Sequence, residues 1–290
     1  MKFEKRNHHY VPQYWQRGFR GSNGHLYGRF GSDIRPVSPR TIMQSDWLYT
    51  VFDDQWNPSD ALEDALSAVE AKDAKLFQRL HIPGYVTKPE DRDQLCAVLA
   101  LQACRHPDVL GRGHRRSQEL GKFLADAHSM TYDTFKNAIA AFGVAAGDAY
   151  DCYVVLRART PQQLQVELAD LLSLSPQSPQ LPVQDALRAM EAITAGLKPL
   201  DLTLLDAPPG YAFVLGDTPL PQADLHLGFS VPLSKSLAVL AGPASISPAT
   251  LGALPRRFAR AAEVDSINRT QRDNAFEVVV GPSASLLATI

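Results

Sequence analysis

The sequence predicts an α+β protein that is predominantly helical, with one small, mainly antiparallel sheet built largely from the carboxy-terminal third. Two observations carry this prediction. Between residues 59 and 196, apolar side chains recur at steps of three and four residues, which is the period of amphipathic helices. Beyond residue 197, apolar residues instead form short runs bounded by proline and glycine, which is typical of strands.

Length and composition indicate one globular domain over residues 1–290. The chain is 45% hydrophobic and 21% charged, and its formal net charge of −2 excludes the strongly basic balance of an obligate nucleic-acid coat. No apolar run approaches the roughly 20 residues that span a bilayer, and the first residues lack the apolar stretch of a signal peptide. We therefore expect a cytoplasmic protein without membrane contact. The three cysteines match neither a zinc nor a disulfide spacing and are expected to be core thiols.

Residues 1–58 are expected to form a motif arm followed by short strands. Pro12 argues against a long helix at the start, because proline lacks a backbone donor and restricts the residue before it. We expect an extended arm that leads into a short helix. The aromatic and apolar residues at 25–30 predict a short strand, and those at 46–52 predict an irregular one.

Residues 59–196 are expected to form a helical region that contains a linker near 173–183, where serine, proline and glutamine dominate. The predicted helices cover 59–80, 89–106, 108–128, 131–146, 161–173 and 184–196.

Residues 197–290 are expected to form the sheet, together with one amphipathic helix at 255–274. The predicted strands cover 202–207, 211–217, 236–242 and 276–282. A proline and glycine turn at 207–210 predicts an antiparallel hairpin between the first two of them.

Seven segments in a fixed order resemble a known family. They are NHHYVPQYWQRGF, HLYGRF, ALEDALSAVEAK, LALQACRHP, FVLGDTPL, GFSVPLSKSLAVLAG and INRTQRDNAFEVVVG, which together extend over nearly the whole chain. This pattern resembles the bacterial domain-of-unknown-function family DUF4238, most specifically in the first segment. The resemblance implies a shared fold and a shared pocket, but no activity. The chain differs from the family pattern around Asp217, where it has Gly-Asp-Thr-Pro in place of the more usual Ser-Asp-Asn-Pro.

Side chains capable of catalysis or of ligand binding are concentrated in the arm. His9 is a candidate catalytic base or metal ligand, because neutral imidazole performs both tasks near neutral pH. Asp217 is the second catalytic candidate, because it follows an apolar strand and its carboxylate is expected at the strand end. Arg17 and Arg105 are candidates to hold a phosphate or a carboxylate. The candidate ligand-binding residues are His8, Tyr10, Gln13, Arg17, Gln102, Arg105 and Asn268.

Each candidate also has a purely architectural interpretation. Adjacent histidines on an extended segment point to opposite faces, so at most one of His8 and His9 is expected in a given site. Asp217 stands where an aspartate commonly begins a turn. Asn268 shares an inward helix face and either clamps a neighbouring loop or joins a polar site. Arg105 either lines a pocket or caps the end of its helix.

Two charged patterns on the predicted helices are expected to face solvent. Glu63 and Glu70 are seven residues apart on one side of a helix, too far apart for paired metal ligands. A basic patch lies further along the chain, where a solvated face is favoured over contact with nucleic acid. It consists of Arg112, His114, Arg115 and Arg116.

The sequence does not by itself establish a function. It contains no phosphate-binding loop, dinucleotide-binding glycine motif, zinc-protease motif or α/β-hydrolase nucleophile motif. The favoured hypothesis is a hydrolase-like, nuclease-like enzyme that acts on a phosphodiester or nucleotide through a His/Arg/Asp/Asn site, with a divalent metal as an optional cofactor. The rival is a non-enzymatic, ligand- or protein-binding regulatory component, for example of a bacterial toxin, immunity or defence system. The expected partners are accordingly nucleic acid, a nucleotide or a protein.

Overall fold

The computed structural model of the protein describes residues 7–46, 48–49, 51–52, 58–59, 61–142, 145–168, 180–243 and 253–290. The α-helices are α1 (Gln13–Arg17), α2 (Ala61–Leu80), α3 (Pro89–Arg105), α4 (Pro107–Ala125), α5 (Tyr132–Ile139), α6 (Ala146–Arg157), α7 (Pro161–Glu167), α8 (Gln180–Leu197), α9 (Ala261–Asn274) and α10 (Ala284–Thr289). The strands are β1 (Asn7–His9), β2 (Leu26–Phe30), β3 (Asp33–Val37), β4 (Gln44–Asp46), β5 (Val51–Phe52), β6 (Pro58–Ser59), β7 (Asp201–Asp206), β8 (Leu215–Gly216), β9 (Phe229–Ser234), β10 (Leu237–Gly242), β11 (Arg256–Phe258) and β12 (Val279–Gly281).

The fold is a mixed α+β fold, as predicted, and it contains two four-stranded sheets. The first has the order β11-β7-β10-β9, in which β11 runs parallel to β7 and the other neighbours are antiparallel. The second has the order β3-β2-β12-β8 and is antiparallel throughout. Two short antiparallel ribbons, β1-β4 and β5-β6, accompany them.

The prediction of one small sheet from the carboxy-terminal third is wrong in the number of sheets and in their origin. Strands β2 and β3 of the second sheet come from the first 37 residues, and β2 pairs with β12 near the other end of the chain. A local pattern of apolar residues marks each strand but carries no information about a partner some 250 residues away.

The predicted hairpin at 207–210 is also wrong. Strand β7 pairs with β10, whereas β8 pairs with β12 in the other sheet. The chain that follows the turn is held elsewhere: the backbone N–H of Phe213 donates to the Lys235 carbonyl at 2.9 Å, and that of Val214 donates to Asn268 Oδ1 at 3.0 Å. These contacts direct the segment away from β7.

Helix boundaries differ from the predictions where a strand or a turn intervenes. The helix predicted at 255–274 begins only at Ala261, because Arg256–Phe258 pairs with β7 as β11. The helix predicted at 131–146 gives way to a tighter helical turn after Ile139, and α6 was not predicted. Residues 173–179 of the predicted linker lie outside the described residues, and α8 begins at Gln180, inside the range assigned to the linker.

The main hydrophobic core lies between the first sheet, α2 and α3, and the arm is packed into it. Trp15 and Phe19 are fully buried, and Trp15 Nε1 donates to the Pro232 carbonyl of β9 at 2.9 Å. The backbone of Gly18 accepts a hydrogen bond from the Lys235 N–H at 3.1 Å. Large aromatic side chains bury much area, so these contacts fix the position of the arm. The three cysteines are free; Cys96 and Cys104 are buried in agreement with the prediction, and Cys152 is half-buried.

Within the described part of the chain, no single helix has both the length and the apolar character needed to cross a membrane. Two helical segments, Tyr132–Phe142 and Gly147–Arg157, meet those criteria only as a pair, and the pair is bent by 117°.

Candidate functional site

The arm consists of β1, Pro12 and α1, and its alternation places the two histidines on opposite faces. Asn7, His8 and His9 pair antiparallel with Asp46, Ser45 and Gln44 of β4. His8 is fully buried, its Nδ1 accepts a hydrogen bond from the Tyr49 N–H at 2.8 Å, and its ring stacks on Tyr49. The opposite face carries His9, as the strand period requires.

His9 is half-buried, and its imidazole has a defined tautomer. Its Nε2 lies 2.9 Å from the carbonyl oxygen of Pro39. A carbonyl oxygen only accepts, so Nε2 carries the proton and Nδ1 is left as the basic nitrogen. Among the described residues no hydrogen bond is made to Nδ1. Burial lowers the pKa of His9, against the opposing effect of the bond to Pro39, so the neutral ring is the main form near neutral pH.

His9 opens into a cleft of about 360 Å³ between the arm and α2, which we call the arm cleft. The arm supplies His9, Gln13, Tyr14 and Arg17 to its wall. The facing wall comes from α2, whose residues at helical spacing present carboxylates, one hydroxyl and small side chains. They are Glu63, Ser67, Glu70, Ala71 and Ala74.

Arg17 and Gln13 form a polar pair on the arm side of this cleft. The guanidinium Nη2 of Arg17 donates to Gln13 Oε1 at 2.7 Å, one helical turn away. Arg17 is exposed, and a guanidinium has five N–H donors, so donors remain for a ligand. The predicted candidates His9, Gln13 and Arg17 are thus brought together in one place.

Arg105 lies behind the arm cleft, where it joins three elements. Its buried Nη2 donates to Glu70 Oε1 at 2.7 Å and to the His9 carbonyl at 2.8 Å. Its Nε donates to the Tyr49 hydroxyl at 3.3 Å, which in turn donates to the Arg105 carbonyl. Burial lowers the pKa of Arg105, but Tyr49 and Glu70 outweigh it and raise that pKa above its ordinary value. The guanidinium therefore neutralises Glu70 and anchors β1.

Glu63 and Glu70 were both expected to face solvent, and the structure corrects this because both are half-buried. The Glu70 side chain is only 26% exposed because it is paired with Arg105. Glu63 is half-buried on the same wall. Their spacing of seven residues was visible in the sequence, but the arm that covers this side of α2 was not.

Two glutamines hold the backbone of the arm. Gln102 Nε2 on α3 donates to the Tyr10 carbonyl at 2.9 Å, and Gln16 Nε2 donates to the Val11 carbonyl at 2.7 Å. Both side chains are buried. Gln102 was a predicted ligand-binding residue, and its amide is used here to position the main chain. Gln16 was not identified as a candidate from the sequence, although it is a glutamine in the arm, as the candidate Gln13 is.

Asp217 lies apart from the arm cleft, at the end of β8. Its fully buried carboxylate accepts hydrogen bonds from the N–H groups of Phe276, Glu277 and Val278 at 2.7, 2.8 and 3.0 Å. Burial raises the pKa of Asp217, whereas these three donors act in the opposite direction. The carboxylate therefore holds the chain that enters β12.

Asn268 and Gln271 on α9 hold the segment 212–219 from its other side. Asn268 Oδ1 accepts from the Val214 N–H at 3.0 Å, and its Nδ2 donates to the Ala212 carbonyl at 2.9 Å. Gln271 makes the equivalent pair of bonds to Gly216 and Pro219, each at 3.0 Å. Asn268 was expected either to clamp a neighbouring loop or to join a polar site, and these contacts are those of a loop clamp. Neither Asp217 nor Asn268 lines the arm cleft.

Tyr10 also lies away from the arm cleft, in an aromatic contact with His106. The two rings meet edge to face at 5.4 Å, and His106 Nε2 lies 3.0 Å from Thr218 Oγ1. Burial raises the pKa of the Tyr10 hydroxyl. This contact connects the arm to the segment 212–219. The basic residues at 112–116 lie on α4, and the orientation of their side chains is outside the described part of the structure.

No group of three or more His, Cys, Asp or Glu side chains with the geometry of a metal site occurs among the described residues. The imidazole, guanidinium and carboxylate groups that line the arm cleft are those of His9, Arg17, Glu63 and Glu70.

The fold and the cleft define an α+β protein in which an amino-terminal arm, packed into the core, forms one wall of a polar surface site. The chain belongs to the family DUF4238, described as a protein of unknown function, whose model matches residues 7–285. Comparisons with curated proteins and with solved structures give no match.

Proposed function

We propose that the protein is a hydrolase-like enzyme that cleaves a phosphate ester of nucleotide size in the arm cleft, with His9 as the general base. The observation that carries the proposal is the tautomer of His9. Its Nε2 is held by the Pro39 carbonyl at 2.9 Å, so Nδ1 is oriented to accept a proton. Histidines that act as bases are commonly oriented in this way by an acceptor on their other nitrogen.

The lowered pKa of His9 supports the same role. Because burial lowers the pKa from its ordinary value of 6.5, the ring is deprotonated at neutral pH and able to take a proton from water. A general base works best when its pKa lies near the working pH. The activity is therefore expected to rise with pH on the acidic side, with a midpoint below 6.5, and to level off near neutrality.

The charges of the cleft favour a ligand that carries both an anion and hydrogen-bond donors. Arg17 is the cation on the arm side, positioned by its bond to Gln13. The opposite wall presents the hydroxyl of Ser67, and the charge of Glu70 is neutralised by Arg105. A nucleotide fits this division, with its phosphate on the guanidinium and its sugar or base donors on the acceptors. The volume of about 360 Å³ is within the usual range for small-molecule sites.

A second candidate function is a non-enzymatic ligand- or protein-binding regulatory role, for example in a toxin, immunity or defence system. One observation favours it: Asp217, Asn268, Gln102 and Arg105 all direct polar atoms to the main chain. These four side chains therefore serve the architecture, which leaves fewer groups for catalysis and supports a binding role.

The test is turnover of bis(p-nitrophenyl) phosphate and of nucleoside monophosphates, together with binding measured by calorimetry. His9→Gln is expected to abolish turnover and keep binding, because Gln retains a donor for the Pro39 carbonyl but not a base. Arg17→Ala is expected to weaken binding by about tenfold or more, since a charged hydrogen bond is lost. The matched controls are His25→Gln and Arg20→Ala, two exposed residues of the same types outside the cleft.

Three outcomes separate the proposals. Turnover that depends on His9 but not on His25 supports the enzyme. Binding that depends on Arg17, with no turnover by the wild type, supports the regulatory role instead. Wild-type protein that neither turns over nor binds these phosphates overturns both assignments of ligand.

A further inference from the structure

Helix α6 packs against a second, smaller hydrophobic core through one of its faces. Ala149 and Leu156 on this face are buried, and helices α4, α5 and α7 supply other members of the same core. The hydroxyl of Tyr153, also on α6, donates to the Met130 carbonyl at 2.7 Å. These contacts fix the rotation of α6 about its own axis and therefore decide which of its side chains face outward.

The outward side of α6 is an exposed stripe, which we call the α6 stripe. Its members lie at steps of three, four and seven residues, which places them within about 60° of Val154 around the helix. Val154 is 47% exposed, Tyr150 on the preceding turn is 57% exposed, and Val155 beside them is 53% exposed. Neighbouring large apolar side chains in solvent are typical of an interaction surface. The stripe consists of Gly147, Tyr150, Asp151, Val154, Arg157 and Ala158, all of them exposed.

The charges of this surface change sign along the helix. Asp148 and Asp151 lie in its amino-terminal half, and Arg157 is its last residue. Arg157 Nη1 donates to the His128 carbonyl, an uncharged group, so this contact does not neutralise the guanidinium, and further N–H donors remain. Two copies of α6 that pack antiparallel place the acidic half of each beside the arginine of the other, whereas a parallel pair opposes like charges. The surface is therefore complementary to itself.

The positions of the large side chains have the same symmetry. Tyr150 and Arg157 are seven residues apart, which is about two helical turns, and Val154 lies close to their midpoint. In an antiparallel pair with its twofold axis at Val154, the two valines meet, and Tyr150 of each copy faces Arg157 of the other. The guanidinium of Arg157 already lies over the Tyr153 ring of its own helix, 5.9 Å from the centroid. A second ring on its other face adds a further cation–π contact.

We propose that the α6 stripe is the interface of a twofold symmetric homodimer, in which two copies of α6 pack antiparallel about Val154. Such a contact is isologous, because the same surface serves in both copies. The inference goes beyond the proposed hydrolase activity and is independent of it, since no residue of the stripe lines the arm cleft. One helix pair is a small interface, so we expect a weak dimer with a dissociation constant of about 10 to 100 µM.

The test is sedimentation equilibrium of the full chain at loading concentrations from about 1 to 500 µM, a range that brackets the expected dissociation constant. Val154→Asp places a carboxylate against its own copy at the centre of the interface and is expected to raise the dissociation constant by about tenfold or more. Val69→Asp is the matched control, because Val69 is an exposed valine on a different helix, α2. It is expected to leave the dissociation constant unchanged. Circular dichroism checks that both variants are folded.

Charge reversal supplies a second test that a destabilised variant cannot imitate. Arg157→Glu and Asp151→Arg each bring like charges together in the homodimer, and each is expected to weaken it by about fivefold or more. An equimolar mixture of the two variants is expected to associate about as strongly as the wild type. In the mixed dimer one end keeps the wild-type charges, and the other end has the opposite charges exchanged.

Four outcomes overturn the proposal. The wild type stays monomeric at the highest concentration, Val154→Asp dimerises like Val69→Asp, or the mixture of charge variants associates no better than either variant alone. The fourth is a wild type that binds vesicles of phosphatidylcholine and phosphatidylglycerol and forms no dimer in solution, which would assign the α6 stripe to a lipid surface.

Discussion

Polar side chains are found both in the arm cleft and around the segment 212–219, but in opposite circumstances. Around the segment 212–219, Asp217 and the α9 residues Asn268 and Gln271 are buried, and their polar atoms bind the main chain. In the arm cleft, Arg17 is exposed and His9 is half-buried with one basic nitrogen left over. Residue type alone therefore does not distinguish a clamp from a site; burial and the number of backbone partners do.

The largest expected effect tests the buried side of this comparison. Asp217→Ala removes the acceptor of three backbone N–H groups and leaves donors buried without partners. We expect a loss of about 3 to 5 kcal/mol in the free energy of unfolding, measured by urea denaturation. The control is Asp273→Ala, an exposed carboxylate at the end of α9, with an expected change below about 0.5 kcal/mol. Equal effects of the two substitutions would contradict the role of Asp217 in holding the main chain.

The next largest effect on stability is expected at Arg105. This residue is buried and binds the main chain, although it lies directly behind the arm cleft. Arg105→Met removes the partner of Glu70 and of the His9 carbonyl. We expect a loss of about 3 kcal/mol in unfolding free energy, because a partly buried carboxylate is left unpaired. Arg159→Met, which breaks an exposed ion pair with Glu167, is the control, with a loss of at most about 1 kcal/mol. A small effect at Arg105 would show that it is free for a ligand.

The sequence correctly predicted the mixed α+β class, the family and most helices, because these depend on local periodicity and on short motifs. It also predicted that the two arm histidines face opposite ways, since a strand alternates. The pairing of β2 with β12 and the contact of α2 with the arm were not predictable, because both join distant parts of the chain. The roles of Asp217 and Gln102 depend on which backbone groups approach them, and no spacing rule contains that information.

A third prediction uses pH and concerns Asp73 on α2, which is only 5% exposed. Burial raises its pKa from 3.8 to about 6, although Gln94 donates a hydrogen bond to its carboxylate. The folded state therefore holds the proton more tightly than the unfolded chain does. The stabilisation from this group is complete below pH 3.8 and is lost as the pH rises through about 6.

The measurement is the difference in unfolding free energy between the wild type and Asp73→Asn, taken by urea denaturation at several pH values. From pH 4 to pH 7 the wild type is expected to lose about 2 to 3 kcal/mol relative to the variant. Other titrating groups cancel in the difference. Parallel curves for the two proteins would mean that Asp73 is solvated in the folded state.

The smallest effect on stability is expected at His9, and it distinguishes a site residue most clearly from the residues that hold the main chain. His9→Ala removes the hydrogen bond to the Pro39 carbonyl and is expected to cost about 1 kcal/mol. His9→Gln keeps a donor at a similar place and is expected to cost less, although both variants lack a base. Thermal unfolding measures the two costs. A residue whose replacement barely affects folding but removes an activity or alters a bound ligand belongs to a site, whereas Asp217 and Arg105 are expected to show the reverse. A loss of about 3 kcal/mol or more at His9 would instead place it with the clamps.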